Sequence, residues 1–123
     1  MKVVSFSIKS LEESMDEFEE AYEAARKRLP FKRHDGVSFT SIEVMRNFLT
    51  PKRLEILRCV KEKKPQSVYA LAKLLGRGFP SVLRDIEILH KHGLVKLPKA
   101  KKSPRRAIAP CVDYDAIDIR IAL

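Results

Sequence analysis

Ser67-Val68-Tyr69-Ala70-Leu71-Ala72-Lys73-Leu74-Leu75-Gly76-Arg77-Gly78-Phe79-Pro80-Ser81-Val82-Leu83-Arg84-Asp85-Ile86-Glu87-Ile88-Leu89 spells two helices separated by a turn of four residues. Ser67 supplies an N-cap hydroxyl, and Val68, Leu71, Ala72 and Leu75 follow at i, i+3, i+4 and i+7, which makes one apolar face. Gly76 ends that helix, because glycine enters the left-handed conformation of a C-terminal cap without strain. Pro80 opens the next, at a position where no amide donor is required, and Val82, Ile86 and Leu89 form its inward face until Gly93 stops it. Ala72 is small enough to let the two helices close on each other.

The same grammar extends upstream. Thr50-Pro51 is an N-cap followed by proline at the first helical position, and Leu54, Leu57 and Val60 give that helix a buried face. Lys52, Arg53, Arg58, Lys61, Lys63 and Lys64 cover the remainder before Pro65 ends it. A helix, a short helix, a glycine-containing turn and a second capped helix make a helix-turn-helix, whose last helix is the one that enters a major groove. Downstream, Leu94–Leu97 and Ala107–Val112 read as two strands around a basic, proline-containing tip, the pattern of a wing.

Taken together, Leu49–Leu57, Leu71–Gly76, Val82–Leu89 and His92–Val95 resemble prokaryotic winged helix-turn-helix transcriptional regulators. Within these the chain is similar to one family of predicted regulators, some members of which resemble antitoxins of toxin–antitoxin pairs. The resemblance spans roughly residues 38–115. It implies an α+β, mainly helical fold and a double-stranded DNA partner. The expected role is a repressor that binds its operator as a homodimer. The alternatives are an antitoxin that binds its own promoter and a small protein toxin, and, lower, a winged-helix adaptor that binds protein alone.

Under that resemblance the last helix reads the DNA, so Ser81 and Arg84 are expected at base edges, with Asp85 as a third candidate. The fork of an arginine matches the O6 and N7 acceptors of guanine. The competing reading of Arg84 is an ion pair with Glu87 or Glu55. Lys73, Arg77, Lys96, Lys99, Lys101, Lys102, Arg105 and Arg106 are expected to meet phosphates. Phe79 is either a staple onto Leu83 or a contact to sugar or a thymine methyl.

Charge is consistent with a polyanionic partner. The net charge is +9, divided as 5 basic and 7 acidic residues over 1–30 against 20 basic and 9 acidic over 31–123. Clustered positive charge attracts phosphate, whereas scattered charge only keeps a protein dispersed. Tyr69, Phe79 and Tyr114 lie too far apart in sequence to suggest a stacking platform for single-stranded RNA. No nucleophile elbow, H-E-x-x-H, CxxC or phosphate-binding loop occurs, so no catalytic residue and no cofactor is expected. His90, His92 and Cys111 carry a metal site only weakly by spacing, and none is expected. No apolar run approaches a membrane span, the N-terminus lacks a signal-peptide pattern, and Cys59 and Cys111 lie in apolar patterns that suit reduced thiols. A cytoplasmic protein is the expectation.

The termini read differently from the centre. Residues 2–9 alternate, with Val4, Phe6 and Ile8 on one face, and read as a strand. Ser10-x-x-Glu13 is a capping box that opens a helix to Leu29. Its apolar positions Leu11, Met15, Phe18, Tyr22, Ala25 and Leu29 are spaced by four and three in turn, a narrow seam on an acidic helix. Either its own domain or a second chain covers that seam. Ile117, Ile119 and Ile121 give a C-terminal strand that pairs with residues 3–8 or exchanges with another chain. The expected organisation is therefore a strand–helix extension over 1–37, a winged helix-turn-helix over 38–115 and a terminal strand over 116–123. Val4, Phe6, Leu11, Met15, Phe18, Tyr22, Ile119 and Ile121 are the candidates for a dimer or partner interface. Ahead of the main motif, Val37–Phe39 suggests a short strand, and Ile42, Met45 and Phe48 or Leu49 the inner face of a short helix.

Overall fold

The computed structural model describes residues 1–9, 11–27, 36–98 and 108–123. The cap at Ser10, the helix end at Leu29, the connector 31–35 and the basic tip with Lys99, Lys101, Lys102, Arg105 and Arg106 lie outside them, as does the side chain of Leu11. The described residues form an α+β structure of five helices and one small parallel sheet, in the order β1 (Val3–Ile8), α1 (Leu11–Arg26), β2 (Val37–Phe39), α2 (Ile42–Phe48), α3 (Pro51–Lys63), α4 (Val68–Leu75), α5 (Phe79–Lys91) and β3 (Ala116–Ile121). No described helix is long and apolar enough to cross a membrane. The chain divides into two compact units, Met1–Phe48 with Tyr114–Leu123, and Leu49–Asp113.

In the first unit β1 is the central strand, with β2 and β3 parallel to it on either side. The register sets Phe6 opposite Val37 and Ile119, and Ile8 opposite Phe39 and Ile121, so the apolar residues of all three strands share one face. The C-terminal strand thus pairs within its own chain, tied at its start by the Asp115 amide donating to the Lys2 carbonyl at 2.7 Å. Phe6, Phe39 and Phe48 meet in a triangle with centroids 5.3–6.2 Å apart. Tilted contacts of this kind are favoured by the aromatic quadrupole.

That triangle corrects three expectations. Phe6 is wholly buried as the centre of its own unit's core, and it cannot also face a partner. The boundary expected at 38 falls at 48/49, because Phe39 and Phe48 complete the Phe6 cluster and so carry β2 and α2 into the first unit. Ile42, expected to face inward, is 42% exposed; Phe48 alone of α2 is buried, with Met45 half-buried.

The second unit is α3, α4 and α5 packed on one another. Thr50 Oγ1 accepts from the Arg53 amide at 3.2 Å, and Ser67 Oγ accepts from the Ala70 amide at 2.9 Å, so both expected N-caps form. Ile56, Leu57, Val60, Val68, Leu71, Ala72, Val82, Ile86 and Leu89 are the helical core, and Leu94 and Val95 close it after α5. On α3 the buried face is turned slightly from the expected one, with Ile56 fully covered and Leu54 half-buried. The two strands expected at Leu94–Leu97 and Ala107–Val112 do not form as strands among the described residues. Among the described residues a single antiparallel bridge, Lys96 with Cys111, joins the two segments by two amide–carbonyl bonds of 2.8 and 2.9 Å.

Ser67→Ala tests how far the second unit leans on its caps. A lost serine cap costs about 1 kcal/mol. For a unit of this size that lowers the thermal midpoint by about 4–8 °C, measurable by circular dichroism with helix content retained.

Candidate nucleic-acid interface

The turn between α4 and α5 is set by one glycine. Gly76 sits at φ 64°, and its amide donates to the Lys73 carbonyl at 3.2 Å while the Arg77 amide donates to Ala72 at 3.1 Å. This pair of bonds is a Schellman motif, which satisfies the last carbonyls of α4 and turns the chain sharply. It also aims Arg77 at the first turns of α5. Arg77 Nη2 donates to Ser81 Oγ and to Asp85 Oδ2, each at 2.9 Å. Arg53 of α3 donates through Nε to the other carboxylate oxygen, Oδ1, at 3.1 Å.

Asp85 is therefore a latch. Its carboxylate holds an arginine from α3 and one from the turn, and all three side chains are only 16–17% exposed. Asp85 and Ser81, expected at base edges, are both engaged in this cluster, and Arg77, expected at phosphate, is folded into it. Arg77 Nη1 is buried with no hydrogen-bond partner among the described residues.

Arg84 stands outside the latch. Its neighbours Val82 and Ile86 are wholly buried, and at 100° per residue Arg84 lies opposite the face they share with Leu89. It is exposed, and among the described residues no ion pair or hydrogen bond engages it, so the expected alternative pairing with Glu87 or Glu55 does not form. Lys52, Arg53, Arg77 and Arg84 line one open cleft of about 690 Å³ between the start of α3 and the side of α5. Four cations face one carboxylate there, which makes the cleft strongly electropositive.

A second cluster was not legible in the sequence. Tyr69, in the first turn of α4, and Phe79, the first residue of α5, bring their rings to 6.2 Å at 54°, and Lys73 Nζ lies 4.8 Å over the Tyr69 ring. Phe79 is thus inside the helix and in tilted ring contact with Tyr69, where a staple onto Leu83 was one expectation. Tyr69 and Phe79, whose separation in sequence suggested no stacking platform, are ten positions apart, and the turn folds the two helix starts together. Tyr69 is 52% exposed, so this is a half-open aromatic and cationic edge. Arg53 and Lys52 were likewise read only as part of a solvated face, since no local spacing links Arg53 to Asp85.

Lys96 is exposed and bonded to Asp113, which raises its pKa and keeps it cationic. His90 Nδ1 lies 3.0 Å from the Val95 carbonyl. His90, His92 and Cys111 do not assemble: among the described residues no group of three metal-ligating side chains is found.

No curated protein matches the chain. A family model described as HVO_A0114 matches residues 48–119, which takes in all of α3, α4 and α5 and the first part of β3. With more than half of its length covered by that model, the chain belongs to the HVO_A0114 family.

Proposed function

We propose that the protein is a sequence-specific double-stranded DNA-binding regulator. In this reading α3, α4 and α5 are a helix-turn-helix, the Lys96–Cys111 bridge is the base of a wing, and α5 is the helix that enters the major groove. The observation that carries the reading is Arg84: a guanidinium on the outward face of α5, exposed and unpaired among the described residues, lining a cleft with three other basic side chains. An exposed arginine at that point of the last helix is free to use its fork on a guanine edge. Lys52 and Lys73 flank it as phosphate contacts, with Lys96 on the wing side. Tyr69 and Phe79 form an apolar shoulder suited to a sugar or a thymine methyl.

Repression of its own promoter and binding as a dimer are part of the same reading, because two-fold regulators match paired half-sites. The test is a titration of the full chain against a labelled duplex from its own promoter and against a scrambled duplex, at two salt concentrations. Tighter binding to the promoter that weakens with salt is expected, with the slope of log K on log salt growing by about 0.9 per phosphate contact. Equal binding to both duplexes, or none to either, overturns it in favour of the protein-adaptor reading or of an antitoxin that needs its toxin to hold DNA.

A further inference from the structure

The first unit holds a helix that the described residues of its own unit leave largely uncovered. The well-packed element pairs there are β1 with β3, β1 with β2 and β2 with α2; α1 is not among them. An ion pair between Lys9, just after β1, and Glu17 ties it to the sheet. The less exposed side of α1 is Ser14, Glu17, Ala21 and Ala24, small or already paired, whereas Met15, Phe18 and Tyr22 stand 62%, 72% and 62% exposed. These three follow one another by three and four residues, so they form one stripe along the helix. Large apolar side chains gathered on one stripe, unlike scattered ones, mark a surface that something covers.

We infer that a second copy of this chain covers it, with the two α1 helices antiparallel. The charges flanking the stripe select that occupant and that direction. At 100° per residue, Glu12, Glu19 and Arg26 line one flank of the stripe, while Glu13, Asp16, Glu20 and Glu23 point away from it. The flank is acidic at its start and middle and basic at its end, where Arg26 also pairs with Glu23 of its own helix at 2.9 Å. Two identical helices laid antiparallel about a two-fold axis near Glu19 set Glu12 of each beside Arg26 of the other, two attractive approaches against the single Glu19–Glu19 approach at the axis. Laid parallel, they would bring both acidic first turns together.

One pair of helices about 24 Å long falls at the small end of specific interfaces, so the dimer is expected in the micromolar range. This inference stands independently of DNA binding, although it supplies the two-fold symmetry that the proposed operator reading calls for. The oligomeric state is therefore measured without DNA, so that failure here and failure of the DNA reading are separate results.

Sedimentation or light scattering of the full chain should give a dimer mass at about 100 µM and dissociation on dilution. Phe18→Glu should weaken the dimer at least about 100-fold with helix content retained, since it places a charge in the middle of the stripe. Glu12→Arg and Arg26→Glu should each weaken it about threefold, and the double swap should restore it, because only antiparallel helices bring positions 12 and 26 together. A monomer at every concentration overturns the inference and leaves the stripe to a different partner, such as a small basic protein. A dimer indifferent to Phe18→Glu overturns the surface, and a dimer not restored by the double swap overturns the direction.

Discussion

Arg84→Ala is expected to abolish discrimination between the promoter duplex and a scrambled one while leaving the fold untouched. A bidentate arginine–guanine contact is worth about 1–3 kcal/mol, which is roughly 5- to 150-fold in the ratio of the two affinities. Arg84 is exposed and unpaired among the described residues, so its removal should change stability by no more than about 0.5 kcal/mol. Arg84→Lys sharpens the test. Lysine keeps the charge and loses the planar fork, so that variant should keep nearly the wild-type salt dependence and still lose discrimination. A variant that binds more weakly to both duplexes in equal proportion would make Arg84 a phosphate contact, and the reading of sequence would then have to be sought in other residues of α5.

The parts legible from sequence are those specified by short-range chemistry. Thr50 and Ser67 as caps, Gly76 as a left-handed stop and Val82, Ile86 and Leu89 as an inward face all depend on residues within a turn or two of one another, and all form as read. The alternation in β1 and at Ile117–Ile121 was equally legible, but alternation has no partner written into it. The register that pairs the two ends of the chain in parallel had to come from the structure. The same holds for the site. Asp85 looks in sequence like an exposed acid on a reading helix; what makes it a latch is Arg53, 32 positions away, and an Arg77 aimed by the Schellman turn. Phe6 was misplaced for the mirror-image reason. An apolar residue on a strand face looks alike whether a partner chain or its own Phe39 and Phe48 cover it.

Asp85→Asn carries the largest expected effect on stability, and its two consequences have opposite signs. The wild-type carboxylate offsets two guanidiniums that keep only 17% of their surface in water. With the charge removed, Arg53 and Arg77 remain close together and part-buried without the Asp85 charge between them, and no amide can replace both charge-assisted bonds. Breaking a buried pair from one side costs about 3–5 kcal/mol; with each partner partly hydrated here, about 2–3 kcal/mol is expected, or a thermal midpoint lower by about 10–20 °C. Yet the cleft lined by Lys52, Arg53, Arg77 and Arg84 loses its one acid, so below that midpoint the variant should bind scrambled DNA more tightly and with a steeper salt dependence than the wild type. A second change separates latch from charge. Arg53→Met added to Asp85→Asn removes one of the stranded cations and should recover part of the stability, a coupling that a thermodynamic cycle measures directly. If the double variant is only additively worse, the carboxylate is not what joins α3 to α5, and the latch assigned to Asp85 is wrong.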